Sequence, residues 1–530
     1  MKKNHKRISA AVLSLALGFT IAGAPMLAPV ASAQQVTITA GQASTVNENA
    51  AVTLTIQKRL GEVNNAPNGI ADVPFQVQKL NTGSLATLAG WEDVLALQTK
   101  LQTTGLVAAD FDPSYDEEIT TNPSGNIQIV TGGANDAGGD FTVGAYLVTE
   151  KAFGNYTVAD PFIVTLPHAE GNSWNYEQTV TPKNQLVEVD KTVSDAGVHL
   201  GANIAYTISA SIPAEDLTSL AIIDDLPDEL GAAQSIVVKT FGAIDPLDDI
   251  ELILNTDYTP DPVDGDGNQL TIELTPAGLT KLNNLRPGNP NLVLQVTFSA
   301  KVVELPGNGV ISNDVIINYP NQSIDTSSDP NDPNDGSETR FGSLSITKTD
   351  QADDSELEGA VFELWRCQPA GTNGWAVIGD KLPIINDPAV VDSATYDNYV
   401  NNTHGGTVPT TFSTDVDGEA TVYGVQTFDF VNGEYLPSGT DSQICLVEVE
   451  APTGYNLIPE PIPVTDYVDS SHQSPDFYNM TANIENIKND DLVNLPETGG
   501  NGTMAMIAAG VLVAAAGGAA AVRGNRARNK

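Results

Sequence analysis

Two cysteines, five histidines and 6% aromatics in 530 residues leave several chemistries without their usual materials. The histidines at 168, 199, 404 and 472 have no zinc spacing and no nucleophile elbow around them, so nothing supports an enzyme, a metal site or a cofactor. Positive charge is scarce too, with 24 Lys and Arg against 67 Asp and Glu, a formal charge of −43. A surface so acidic repels phosphate backbones, which excludes nucleic acid as a partner. The carboxylates are scattered rather than blocked, which reads as solubility and mutual repulsion rather than a cation-binding array. Asp264-Gly-Asp266-Gly-Asn268 has the look of a calcium loop, but it lacks the acidic twelfth ligand and reads as a hairpin turn.

Long apolar runs are confined to the two ends. Lys2, Lys3, Lys6 and Arg7 precede an apolar segment from Ile8 to about Leu27, and Ala31-Ser32-Ala33 offers a small-residue cleavage site, the pattern of a signal peptide over 1–33. At the other end, Leu495-Pro496-Glu497-Thr498-Gly499 is followed by an apolar run from Met504 to Val522 and by Arg523, Arg526, Arg528 and Lys530. That run is just long enough to span a bilayer, and the basic tail halts export. The order resembles the cell-wall sorting signal of Gram-positive surface proteins. The resemblance implies that a sortase cuts between Thr498 and Gly499 and passes the Thr acyl group to an amine. The mature chain is then expected from about Gln34 to Thr498, at the cell surface and covalently attached to peptidoglycan. Eight basic residues leave with the ends, so 16 face 67 acids and the net charge falls to near −51.

The rest reads as all-β: short alternating Val/Ile/Thr runs among 46 Gly and 32 Pro. Its length suits three tandem β-sandwich domains. Leu85–Leu101, with leucines spaced around Trp91, reads as one helix inserted in the first. Expected boundaries are 34–184, 185–340 and 341–490, followed by the sorting signal, membrane-spanning segment and tail over 491–530. The polar stretch from Ser327 to Gly336 reads as a solvated linker.

An internal repeat supports that division. Leu54-x-Ile56-x-Lys58, Val187-x-Val189-x-Lys191 and Leu344-x-Ile346-x-Lys348 each open a domain. Strand alternation puts each Lys on the inward face. A lysine in a core is costly unless it is paired or consumed, and three at matching positions ask for a chemical reason.

The third domain suggests one. Leu446-Val447-Glu448-Val449-Glu450-Ala451-Pro452-Thr453-Gly454-Tyr455 resembles the E-box of sortase-assembled pilins and collagen-adhesin B-type domains, YxLxETxAPxGY, with Ile444 and Val449 departing from it. Ile484-Glu485-Asn486 matches the strand where that family carries its reactive Asn. The resemblance implies an intramolecular isopeptide bond between Lys348 and Asn486, with Glu448 handling the proton. The middle domain is similar to the A-type version: Asp224-Asp225-Leu226-Pro227 resembles its xDxLP turn and Ile311–Tyr319 its final strand. That implies Lys191, Asp224 and Asn313, with Asp225 the alternative to Asp224. In the first domain, Glu150 falls where an E-box would, Lys58 fits, and Asn184 is the candidate partner; some pilins of the family close this bond and others do not.

Cys367 and Cys445 both fall in the third domain of an exported chain, where an even count favours a disulfide.

Trp174-Asn-Tyr-Glu-Gln178-Thr-Val180-Thr181-Pro182-Lys183 resembles the pilin motif WxxxVxVYPK, with Gln178 and Thr181 as departures. In the family this Lys is the acceptor of the sortase-bound acyl group, and Pro182 is expected to keep the segment extended with Lys183 accessible. Donor Thr498 and acceptor Lys183 on one chain imply a head-to-tail covalent polymer. The whole is identified as resembling a major shaft pilin of SpaA type (SpaH/EbpB-like). Implied partners are a pilus-specific sortase, a housekeeping sortase, identical subunits, minor pilins and peptidoglycan. A monomeric wall-anchored adhesin built from the same modules is the alternative. Surface loops such as Ile385–Thr411 are candidates for adhesive contacts.

Overall fold

The computed structural model describes residues 12–15, 36–61, 68–136, 138–171, 173–245, 249–261, 268–326, 337–371, 374–437, 442–468 and 478–489. The sorting signal and nearly all of the expected signal peptide lie outside them. No helix among the described residues is long and apolar enough to cross a membrane.

In the first sandwich, one sheet orders Phe162–Leu166, Gly144–Glu150, Pro74–Leu80 and Phe111–Thr120. The facing sheet places Thr53–Gln57 between Glu177–Val180 and Asn126–Val130. Alternation along these strands sends Leu54, Ile56, Phe75, Val77, Ile127 and Val148 into a shared core. The expected helix is present at Leu88–Thr103, two to three residues later than its leucines suggested, because the Thr87 hydroxyl caps Gly90 N–H. It covers a second, smaller core of Trp91, Val94, Leu97 and Leu147.

The middle sandwich packs the sheet Val189–Ser194, Asn203–Ser211, Val293–Lys301, Gln234–Phe241 against the sheet Tyr258–Asp261, Gln269–Leu274, Ala221–Asp225, Ile316–Tyr319, Gln322–Asp325. It also carries a helix, Pro276–Leu285, that the sequence reading passed over. Its start is well specified, with Thr275 as N-cap and Pro276 in the first turn. The supposed calcium loop joins two antiparallel strands. Residues 262–267 fall outside the described set, but Asn268 is committed to structure, donating to the carbonyls of Leu226, Pro227 and Leu230.

The third sandwich begins within a strand rather than at a break. Ser337–Asp350 pairs through residues 337–340 with Val310–Asn313, then through later residues with Glu419–Gln426 and, in parallel, with Tyr478–Asn486. Its facing sheet orders Gly374–Lys381, Val361–Ala370, Ile444–Glu450 and Ile462–Pro463. The Ile385–Thr411 loop, a candidate for adhesive contacts, is anchored at several points while much of it stays exposed. Ile385, Val390 and Tyr399 are buried in the middle sandwich's core, and Leu305 N–H donates to Val391 O at 2.8 Å. Cys367 and Cys445, on neighbouring strands with Cα atoms 5.8 Å apart, form a disulfide.

Candidate functional site

Lys58, Lys191 and Lys348 are all buried, as the alternation requires. Lys58 and Lys191 each meet a carboxyl group carried on another strand, and Lys348 Nζ donates to Ile484 O at 3.1 Å on the strand that carries Asn486, so each site is assembled only by folding.

In the first sandwich, Lys58 Nζ lies 2.6 Å from Glu150 Oε2 and donates to Asn184 Oδ1. Asn184 Nδ2 donates to Glu150 Oε1 at 2.5 Å, closing a three-membered ring of contacts. Phe75, directly across the strand pair from Glu150, places its ring centroid 5.9 Å from Nζ. Burial drives the Lys58 amine down from its ordinary pKa, against the pull of Glu150. Glu215, from the middle sandwich, brings another carboxyl near. Burial raises it, Lys58 opposes, and Glu150 and Asp160 add to the rise.

In the middle sandwich, Lys191 Nζ sits 2.7 Å from Asp224 Oδ2, both side chains fully buried. Asp225 points outward and is exposed, which separates the two candidates. Nζ also donates to Asp314 O at 2.8 Å, beside the fully buried Asn313. Burial lowers the lysine and raises the aspartate, both shifts favouring a neutral amine beside a protonated carboxyl.

In the third sandwich, Lys348 pairs with Ile484 and Asp350 with Asn486 in the parallel ladder, so Lys348 and Asn486 share a face two residues apart. Asn486 Nδ2 donates to Glu448 Oε1 at 2.9 Å, and Glu448 Oε2 accepts from Ile458 N–H at 2.8 Å. Burial brings the Lys348 amine down to about 8, with Glu448 opposing. Just beyond Asn486, Lys488 pairs with Asp350 at 2.5 Å, and the Tyr455 hydroxyl donates to the same carboxylate at 2.8 Å. The sequence reading missed this clamp, although Tyr455 closes the E-box and so marks the place.

The remaining site residue is Lys183. Lys183–Asn184 is a two-residue strand, parallel to Arg59–Leu60 and thus next to Lys58. Asn184 points in and Lys183 out, where it is half-buried rather than fully open. Upstream, Trp174 stacks on the helix residue Trp91 at 5.2 Å and donates to Thr45 Oγ1 at 3.0 Å. Gln178, the departure from the motif's first Val, is buried as a Val would be. Thr498 and Gly499 lie outside the described residues.

Comparison with known proteins places the chain in a family. A family profile described as the SpaA prealbumin-like fold domain matches residues 342–474, and one for the LPXTG cell wall anchor motif matches 487–530. Fimbrial subunit type 1 of Actinomyces viscosus is 31% identical, the alignment covering 98% of each chain. Fimbrial subunit type 2 of Actinomyces naeslundii is 27% identical over 91% of this chain and 90% of its own. Among solved structures, the full-length major pilin SpaD of Corynebacterium diphtheriae has the same fold, with a TM-score of 0.55 at 24% identity over 84% of this chain and 99% of that one. The chain belongs to the Gram-positive fimbrial subunits: it is a structural, sortase-assembled pilin of the cell-wall-attached surface pilus.

Proposed function

We propose that this subunit polymerises by joining Thr498 of one copy to Lys183 of the next. A sortase cysteine displaces Gly499 to form a Thr498 thioester. The Lys183 amine attacks its carbonyl, the C–N bond forms as the C–S bond breaks, and the proton lost from nitrogen leaves with the sulfur as the cysteine thiol. The observation that carries this reading is the outward lysine on a strand whose next residue, Asn184, is buried against Lys58. That arrangement presents the amine on a fixed backbone. A pilus-specific sortase then builds the fibre and a housekeeping sortase transfers it to peptidoglycan. Minor pilins complete the fibre, which supports adhesion.

Three internal isopeptide bonds, Lys58–Asn184, Lys191–Asn313 and Lys348–Asn486, stiffen the subunit, one in each domain of 34–184, 185–340 and 341–490. Glu150, Asp224 and Glu448 act as proton carriers. Each forms once, in a folded interior that holds amine and amide together, and releases ammonia. The chemistry is self-modification rather than turnover.

The test is a denaturing gel of wall extracts from cells carrying the native chain or Lys183→Ala. The expected result is a high-molecular-weight ladder that collapses to one wall-linked species in the variant. A ladder that persists moves the acceptor to another lysine, and no ladder in either strain favours the monomeric adhesin.

A further inference from the structure

The three lysine sites hold their amides differently. Asn184 and Asn486 each donate to a glutamate, which keeps the amide oriented. Asp224 has a side chain one methylene shorter. It reaches Lys191 at 2.7 Å and also interacts with the buried Asn313 side chain, though without the regular hydrogen-bond geometry of the other two sites.

A further polar group is buried at the same spot. Tyr206, on Asn203–Ser211 next to the Lys191 strand, is 1% exposed, and its hydroxyl also lacks a regular hydrogen bond. Its ring lies 5.4 Å from Lys191 Nζ and stacks on Phe298 at 5.2 Å. The Asn313 side chain is within reach of the hydroxyl. Tyr206 pairs with Val193 and Phe298 in the sheet that carries Lys191, whereas in the other two sites the aromatics Phe75 and Phe362 pair with the carboxyl residue itself and carry no hydroxyl. Buried polar atoms without a regular hydrogen bond are costly to keep, and a phenol hydroxyl within reach of one such amide suggests a use.

We propose that Tyr206 is a further catalytic residue of the middle domain, its hydroxyl donating to Asn313 Oδ1 as the isopeptide bond forms. This rests on the reading that Lys191 and Asn313 join. The neutral Lys191 amine attacks Asn313 Cγ, and the carbonyl electron pair moves onto Oδ1. There the Tyr206 O–H stabilises the developing charge without giving up its proton. Asp224, which starts protonated, delivers its proton to Nδ2 and the resulting carboxylate takes one from Nζ. The C–Nδ2 bond breaks, ammonia leaves, and Asp224 and Tyr206 return to their starting protonation states. Burial raises the phenol further above its ordinary pKa, which keeps it a donor throughout. In the two glutamate sites the carboxyl side chain holds the amide nitrogen by a regular hydrogen bond, and the paired aromatic carries no hydroxyl.

The experiment follows bond closure in the full mature chain, 34–498, made by pulse-labelled cell-free synthesis. Peptides carrying Lys191 and Asn313 are scored as separate or joined with loss of one ammonia. Tyr206→Phe keeps the ring and its stacking, and closure of Lys348–Asn486 in the same molecules serves as an internal clock. The expected result is about a hundredfold slower middle-domain closure in Tyr206→Phe, with the third-domain clock unchanged. Thermal melting should be the same for Lys191→Ala and Lys191→Ala/Tyr206→Phe, which separates chemistry from folding. Closure at the native rate in Tyr206→Phe overturns the proposal. Peptides that stay separate in the native chain overturn the underlying Lys191–Asn313 reading instead. Should Tyr206→Phe slow both domains, the chain with fluorotyrosine placed at position 206 decides: a stronger hydrogen-bond donor should speed middle-domain closure alone, and an unchanged rate sinks the role.

Discussion

Lys183 and Asn184 are consecutive residues of one short strand and face opposite ways, Asn184 into the first sandwich beside Lys58 and Lys183 toward its surface. The two roles proposed for them are therefore separable. Asn184→Ala should keep the fibre ladder while losing the ammonia release assigned to the first domain, and Lys183→Ala should do the reverse. Wall-extract gels and peptide mass mapping check both; loss of the ladder in Asn184→Ala would show that the acceptor needs its neighbour anchored.

In the middle domain, Asp224→Ala should abolish the Lys191–Asn313 bond, while Asp225→Ala should leave it intact. Removing Asp224 also strands a buried lysine. Chemical denaturation of an already unbonded chain, Asn313→Ala, should register a further loss of about 1–3 kcal/mol when Asp224→Ala is added.

The Lys348 amine, brought down to about 8 mainly by burial, gives a pH signature in a chain that cannot close its third bond, Asn486→Ala. Between about pH 8 and 10.5 the unfolded lysine stays protonated while the folded one is neutral, so the unfolded state binds more protons and stability rises with pH across that window. The gain should be on the order of 2–3 kcal/mol. The slope should disappear in Lys348→Met/Asn486→Ala, and denaturation midpoints measured across the window decide.

Reducing the Cys367–Cys445 bond, which closes a loop of 78 residues, should cost roughly 4 kcal/mol on the chain-entropy account. In the native chain the loss should be smaller, because a Lys348–Asn486 bond would already restrain the same stretch. Melting with and without reductant, in the native chain and Asn486→Ala, tests the difference.

Much of this was readable from residue order because the signals were local. An apolar-x-apolar-x-Lys run needs only strand alternation to bury its lysine, and three such runs announced three buried amines. Thr275-Pro276 was an equally local helix start, but it follows directly on a strand and was absorbed into the all-β reading. Other features needed distance. The choice between Asp224 and Asp225 turns on which way one strand faces. The burial of Ile385, Val390 and Tyr399 depends on a loop folding back across a domain junction, and aperiodic apolar residues in a loop do not say which core they will join. Tyr206 and Lys191 are 15 residues apart on neighbouring strands, so their meeting is a matter of pairing register rather than of any motif.

The place of Lys183, at the end of the first sandwich rather than at the start of the chain, decides how tension passes through the proposed fibre. A pull arriving at Thr498 crosses the third and middle domains and leaves through Lys183, so residues 34–182 hang beside the line of force instead of within it. Along that line, the proposed Lys348–Asn486 and Lys191–Asn313 bonds would bypass the polypeptide between their ends. With those bonds closed, the pull would pass around the sheets of the two domains, which would be spared from unzipping. The first domain, free of that demand, can place its strands to hold Asn184 and present the amine beside it.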